Sequence, residues 1–226
     1  MILVNNGSRD RTGQIIDDLI REGYPVTQVT VQVNIGYGNG ILEGLKHCTA
    51  PLVGFLCADG QVGPEAAVET YSQARTGSPA MLAKVRRRFR KDSWQRKLVS
   101  VCYNFGMQII FGGLGSIDLN GNPKILPRES LLAMELESKD WFLDPEIMIK
   151  AKHLGLKVVE MDVEGLPRAG GKSNVRYTTC LQFLKNILRY RFGSPLRKWK
   201  RLVRRALAPG ATRRAPAPTR GSSSLR

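Results

Sequence analysis

The sequence predicts an α/β fold of the doubly wound kind, with a mostly parallel sheet flanked by helices. Three observations carry that prediction. Short apolar or alternating runs read as strands: ILVNN at 2–6, VTVQVN at 29–34, LVGFLCAD at 52–59 and MLAKVRRR at 81–88. Segments of about ten residues with helical periodicity separate them. The first three strands also run into turns rich in Gly, Asn or Asp, and in such sheets ligands bind beyond the carboxyl ends of the strands.

Taken in order, ILVNN enters the turn GSRDRTG. TGQIIDDLIREG follows as a helix, with Ile15, Ile16, Leu19 and Ile20 on one face and Gly23 as its stop. After VTVQVN, the glycine-rich turn of GYGNGILEGLKHC opens a second helix. LVGFLCAD is too apolar for a surface loop and reads as a strand buried on both faces. It delivers one carboxylate, Asp59, followed by Gly60 and Gln61. PEAAVETYSQAR is a helix with Pro64 in its first turn. The second half is less regular. A long helix, SWQRKLVSVCYNFGMQIIFGG, precedes an irregular segment, SIDLNGNPKILPRESL. A helix (DPEIMIKAKHLG), a strand (LKVVEMDVEG), a Gly- and base-rich loop (LPRAGGKSNVR) and a helix (TTCLQFLKNILRYRF) complete the pattern. The expected divisions are a domain over 1–176, basic amphipathic helices over 177–207 and a disordered basic tail over 208–226.

Composition bounds the partners. The chain of 226 residues can bury one sizeable core, and its net charge of +16 calls for an anionic partner. Ten Lys or Arg and no acid lie between Pro195 and Arg226, and a second basic cluster, KVRRRFRK, begins at Lys84. Nucleic acid, an anionic membrane and phosphorylated small molecules all qualify. The four cysteines have no CxxC spacing and read as buried free thiols of a reducing compartment. No run approaches the ~18 apolar residues of a membrane span. Met1-Ile-Leu-Val is too short for a signal peptide. The expected location is therefore cytoplasmic and peripheral, on the inner face of a membrane.

The strand-tip rule brings Asn5 to Ser8, Asn34 to Gly40 and Asp59 to Gln61 into one crevice. GYGNG lacks the spacing of a dinucleotide fingerprint, and no Walker motif is present. A carboxylate with an amide oxygen two residues on suits one hard divalent cation, whose other ligands are diphosphate oxygens and water. The alternative is that Asp59 only caps the next helix or stabilises its turn.

The ordered series VNNGSRDRT, VNIGYGNGILEGL, FLCADGQVGPE, an Arg-rich strand, SIDLNGNPKILPRE, FLDPEIMIKA and LPRAGGKS resembles the family-2 glycosyltransferases of the GT-A fold. The resemblance runs from residue 2 to about residue 190, toward the branch of dolichol- and polyprenyl-phosphate sugar synthases. It implies a nucleotide-sugar donor, a lipid-phosphate acceptor and a divalent cation, Mg²⁺ or Mn²⁺. By that resemblance Asn5, Asn6 and Ser8 stand where the family's VDDGS holds the nucleotide, and Asn34, Gly36 and Gly38 begin the helix under it. Asp59 matches the second acid of DADxQ and Gln61 its trailing ligand. Arg96 and Ser100, spaced R-x-x-x-S on the long helix, resemble the pair that receives the acceptor phosphate; apart from the resemblance, Arg86, Arg87, Arg88 and Arg96 are expected to steer and hold that phosphate, Arg being the better fork for it. Asp118 and Glu146 match the family's later acids, and Arg168 and Ser173 the loop that closes over the diphosphate. Three departures stand out: Cys57 replaces the first metal acid, Asn5 and Asn6 replace two acids, and the family's first strand has no counterpart. Either the chain begins upstream of Met1 or it is a degenerate member, and the missing strand would leave an apolar edge unpaired.

A lipid phosphate is already anionic near neutrality, so positioning and charge neutralisation suffice for its attack. A saccharide hydroxyl would require a base, for which Asp118, Asp144 and Glu146 are the candidates. Their structural alternatives are a turn, a helix N-cap and a dipole complement. At the basic end, 180–192 is expected to pack on the domain. The stripe Leu196, Trp199, Leu202 and Val203 is expected to lie on an anionic membrane. A non-catalytic nucleotide-binding homologue is the competing reading. Nucleic acid is not expected as a partner, since no motif for it appears.

Overall fold

In a computed structural model of the chain, residues 1–88, 94–166 and 177–206 are described, without the side chains of 94–99, 177–181 and 206. The elements follow in the order β1 (Ile2–Asn6), α1 (Thr12–Arg21), β2 (Thr27–Val31), α2 (Tyr37–Leu45), β3 (Leu52–Phe55), α3 (Pro64–Thr76), β4 (Met81–Arg88), α4 (Trp94–Phe111), β5 (Lys124–Pro127), α5 (Arg128–Ala133), α6 (Leu143–His153), β6 (Lys157–Glu164), α7 (Tyr177–Phe192) and α8 (Ser194–Ala206). Strands β1 and β2 pair in parallel, and a second sheet has the order β3-β5-β4-β6. The α/β class holds, but the larger sheet is mixed: β5 runs antiparallel to both β3 and β4, while β4 and β6 are parallel. Only four residues long, β5 carries a lysine and a proline and has no periodicity to announce it. It lies within the segment expected to be irregular.

Register explains other differences. Parallel pairing of Ile2 with Thr27 through Asn6 with Val31 fixes β2 at 27–31 rather than 29–34. Strand β3 lies at the edge of its sheet, so Gly54 and Leu56 are exposed where burial on both faces was expected. No described strand covers the other edge of β1, and Ile2, Leu3 and Val4 are only half-buried. Against so narrow a sheet, α1 buries Ile16 alone, leaving Ile15 and Ile20 exposed. Helix α2 bridges the two sheets by packing on β1 and β2 and sending Ile41, Leu42 and Leu45 to the main core.

That core gathers Leu82 of β4, Leu126 of β5, Met107 of α4 and nearly all of α6. It also takes Leu196 and Trp199 of α8, both about 5% exposed or less. The Trp199 indole donates to the Ala133 carbonyl at 2.9 Å. This corrects the expectation for Leu196 and Trp199, which face the protein with Val203 packed beside them, while Leu202 of the same stripe is exposed. Burying a Trp and a Leu stabilises by roughly 3–5 kcal/mol, and here the protein itself takes both out of water. Helix α7 packs as expected through Ile187, with Tyr190, but Leu184 and Leu188, which share the helical spacing of Ile187, are exposed because that side of the helix turns away from the core. Cys102 stands exposed on α4, contrary to the expectation of buried thiols, because its helix turns that side away from the core.

Lys84, fully buried in β4, reaches the carbonyls of Val85 and Asp118, the Ser116 hydroxyl and the Glu160 carboxylate at 2.6–3.1 Å. Burial, then the charge of Lys124, lowers its pKa to about 8 despite Glu160. Between pH 8 and the ordinary 10.5 the unfolded chain binds a proton that the folded chain does not, so stability rises with pH across that window. Urea unfolding should show the wild type gaining up to about 3 kcal/mol relative to Lys84→Met over that range. Parallel pH profiles for the two proteins would contradict it.

Candidate active site

The site is built from strand tips. At the end of β1, Asn5 Oδ1 accepts the Ser8 amide at 3.1 Å and closes the turn, with Gly7 at a φ of +67°. Asn6 Nδ2 donates to the Gly36 carbonyl at 3.1 Å and to Asn34 Oδ1, which in turn accepts the Gly36 amide at 3.0 Å. Thus the tip of β1 is knitted to the approach to α2. The Asn6 Oδ1 atom is buried without a partner among the described residues, an acceptor available to a donor group.

Gly36 and Gly38 have a packing role. Gly36 has a φ of +142°, and a Cβ there would overlap the Lys139 carbonyl; a Cβ at Gly38 would meet the carbonyls of Ser138 and Asp140. The Asn39 amide donates to that same Lys139 carbonyl at 2.9 Å. The 138–140 segment therefore covers the start of α2, whose glycines support the site from below. Tyr37 stacks on Trp141 with ring centroids 4.4 Å apart. Its hydroxyl accepts from Asn122 Nδ2 at 2.8 Å and lies 3.8 Å from Cys57 Sγ.

Beyond β3, Asp59 Oδ1 accepts the Gln61 amide at 3.1 Å across Gly60, whose φ is +70°. The Gln61 carbonyl accepts the Leu166 amide at 3.0 Å, so the chain leaving β6 is anchored at the Asp59 turn. Both Asp59 and Gln61 are half-buried. Burial, reinforced by the charge of Asp144, pushes the Cys57 thiol pKa up, so it stays neutral. A neutral thiol is a poor ligand for a hard cation. Among the described residues, no group of three or more His, Cys, Asp or Glu is arranged to hold an ion. One carboxylate and one amide nevertheless fit a Mg²⁺-type ion, which keeps water and substrate phosphates as most of its ligands.

Beyond β4, Arg87 grips Asp118: its backbone amide and Nε reach Oδ2 at 3.1 and 3.0 Å, and Nη2 reaches Oδ1 at 2.9 Å. Burial alone would raise the Asp118 pKa, but the Arg87 fork, with Lys84 behind it, holds it well below the usual carboxylate range. Glu146, 1% exposed, takes the Lys150 ammonium at 2.6 Å and the amides of Glu137 and Ser138. Asp144, equally buried, pairs with Lys124 and makes no side-chain cap. All three candidate bases are thus engaged by basic groups. Arg86 and Arg88 share Asp162, and Arg88 is half-exposed, so its pair is of the weak surface kind and open to exchange for a phosphate.

Arg96 and Ser100 stand one turn apart on α4, and the Arg96 side chain is outside the described residues. Asn104 binds the Ser100 carbonyl at 2.8 Å and takes the Leu119 amide at 3.0 Å, which ties that part of α4 to the Asp118 segment. Arg168 and Ser173 lie outside the described residues, as does the expected tail over 208–226. Arg87, expected to hold the acceptor phosphate, is instead committed to Asp118 by three hydrogen bonds, and sequence reasoning missed Tyr37, Asn122 and Lys124. Of these only Tyr37 and Asn122 fell inside turns that drew attention, and neither carries a charge to mark it.

The model of glycosyl transferase family 2 matches residues 1–124. The chain belongs to that family. It is 28% identical over 184 residues to a dolichyl-phosphate beta-glucosyltransferase of Trichomonas vaginalis, covering 77% of this chain and 56% of that protein. It is 27% identical to an undecaprenyl-phosphate 4-deoxy-4-formamido-L-arabinose transferase of an Enterobacter species, covering 87% and 59%. The chain thus spans a little over half the length of these two relatives. Among solved structures it is similar to glucosyl-3-phosphoglycerate synthase of Mycobacterium tuberculosis in complex with Mn²⁺, UDP-glucose and phosphoglyceric acid. That match has a TM-score of 0.65 at 17% identity and covers 85% of this chain and 68% of the other. At this identity the likeness shows the fold, GT-A, which the family-2 chain shares.

Proposed function

We propose that the family-2 chain transfers a sugar from a nucleotide-sugar donor to a polyprenyl phosphate at the cytoplasmic face of a membrane. The observation that carries this reading is the engagement of Asp118, Asp144 and Glu146 by Arg87, Lys124 and Lys150. A saccharide hydroxyl must lose a proton as it attacks, whereas a lipid phosphate needs no base. The two relatives are named for transfer to dolichyl and undecaprenyl phosphate, which agrees.

In this reading Asn5, Asn6, Ser8 and Asn34 shape the nucleotide end, with Gly36 and Gly38 beneath. Asp59, with Gln61, holds a Mg²⁺ or Mn²⁺ ion that, when bound, neutralises the departing diphosphate. Arg168 and Ser173 complete the diphosphate contacts. Arg88, Arg96 and Ser100 receive the acceptor phosphate. Asp118 and Glu146 act as positioning groups: the first fixes Arg87 at the end of β4, and the second fixes the backbone at 137–138.

Purified protein with Mn²⁺, a panel of UDP- and GDP-sugars and dolichyl or undecaprenyl phosphate should move label into the lipid phase. Label appearing only on a saccharide would replace the lipid acceptor in this reading; none on any acceptor would remove the reading. The neutral Cys57 favours one competitor, a nucleotide-binding homologue without transfer. It predicts calorimetric nucleotide binding that is indifferent to Mn²⁺.

A further inference from the structure

Asp144 and Glu146 stand two residues apart in the first turn of α6, so their side chains leave the helix about 200° apart around its axis. Asp144 goes to Lys124 and the Tyr37–Cys57 pair at the strand tips. Glu146 goes the other way and borders a separate cavity of about 370 Å³ between the 137–140 segment and α7. None of the strand-tip residues Asn5, Asn6, Asp59 and Asp118 lines that cavity. Phe142 and Tyr190 border it from the core side, their ring centroids 5.2 Å apart and both nearly buried. Ile35 and Pro195 add apolar wall.

The polar side of the cavity is organised by Asp140. Its Oδ1 accepts the Phe142 amide at 2.9 Å, while Oδ2 accepts Gln182 Nε2 at 2.9 Å and Asn186 Nδ2 at 2.7 Å. Gln182 and Asn186 lie one turn apart on α7, so a single carboxylate fixes both amide planes. An amide has two N–H donors and a carbonyl acceptor, and each of these two spends only one N–H on Asp140. A carbonyl oxygen and a second N–H on each therefore stay for a ligand, with the Ser138 side chain beside them. A hydroxyl both donates and accepts, so a ligand carrying several hydroxyls matches such a mixed set. The Glu146 carboxylate is already spent on Lys150 and the amides of Glu137 and Ser138.

Charge selects the ligand class. Glu137, Asp140 and Glu146 line the cavity together with Lys139 and Arg189, and Lys150 stands behind Glu146. The charges balance, although the chain as a whole carries +16. A phosphorylated ligand would gain little from such a balanced lining, whereas an uncharged one loses nothing. The volume lies at the small end of ligand sites. We propose that this pocket binds a neutral saccharide of one or two rings, its hydroxyls on the Asp140–Gln182–Asn186 cluster and its C–H faces toward Phe142 and Tyr190. Its wall at 138–140 is the segment whose carbonyls meet Gly36 and Gly38, so it borders the donor crevice without overlapping it.

The test uses the full chain with methyl glucosides, mannosides and galactosides, and with maltose and sucrose. Nucleotide, metal and lipid are left out, so the result is independent of any transfer reaction. Saturation-transfer NMR should show magnetisation passing from the protein to the ring protons of at least one of these sugars. Gln182→Leu and Asn186→Leu should each weaken that sugar's binding by about fivefold or more, the size of losing one hydrogen-bonding group. Gln182 is exposed, so its variant keeps the fold, which a thermal melt checks for both. Glucose 6-phosphate should bind no more tightly than the neutral methyl glucoside, and UDP should not displace the sugar. Absence of binding across the panel, or binding that both variants retain, would overturn the proposal. Tighter binding of the phosphate ester would overturn the neutral class, and displacement by UDP would move the sugar to the donor crevice and overturn the separate site.

Discussion

Asp59→Ala is expected to reduce Mn²⁺-dependent sugar transfer by roughly a hundred- to a thousandfold, the usual size of losing one group that stabilises charge on the departing side. The reason is the poverty of the donor set. Cys57 stays a neutral thiol because burial and the charge of Asp144 push its pKa up, so no second carboxylate can take over. The complementary substitution gives the sharper test. Cys57→Asp places a second carboxylate two residues before Asp59, close to Asp144. Without metal, the added charge beside Asp59 and Asp144 should lower stability by about 1–2 kcal/mol; with Mn²⁺ the carboxylates at 57 and 59 become ligands. Calorimetric titration should therefore show Mn²⁺ binding about tenfold tighter, and the melting temperature should recover on adding the ion. If neither substitution alters Mn²⁺ binding in the presence of nucleotide, position 59 has no part in holding a cation.

The largest stability effect is expected at the Lys124–Asp144 pair. Both side chains are buried to within 1% of completely. The Lys124 ammonium also reaches the Gly121 carbonyl and Asn122 Oδ1, each at 3.0 Å. Asp144→Ala leaves that ammonium buried without its counter-charge, a loss of about 3–5 kcal/mol. For a chain of this size the melting temperature should drop by roughly 6–20 °C. A buried ion pair is not in itself a strong stabiliser, so Lys124→Met/Asp144→Leu should recover most of the loss. Equal losses in single and double variants would mean that packing, not charge, is what Asp144 supplies. Tyr37 gives a local reporter, since its hydroxyl shares Asn122 with Lys124. Its stacking on Trp141 should loosen in Asp144→Ala and return in the double variant, visible in near-ultraviolet circular dichroism.

Read by itself, the sequence determined the α/β class, the order of nearly all the elements and the family. Apolar period and turn chemistry are local properties: ILVNN, GYGNG and LVGFLCAD each declare a strand or a helix start within a few residues. The sequence also placed Asn5, Asn6, Asn34 and Asp59 at strand ends, because the crevice rule depends only on chain direction. What it could not determine were matters settled between distant residues. Strand β5 is short and carries Lys124, which is tolerable in a core only because Asp144 arrives from α6, twenty residues on. Asp118 and Glu146 looked available until folding brought Arg87 and Lys150 onto them; a carboxylate's chemistry is fixed by its neighbours, not its type. The amphipathic stripe of α8 specified that Trp199 must leave water without specifying where, and packing against Ala133 took the place of a membrane. On α7, Leu184, Ile187 and Leu188 share one helical spacing, yet only Ile187 is buried. A helix apolar on two sides has little periodicity to read, and only its seat on the core separates the buried face from the exposed one.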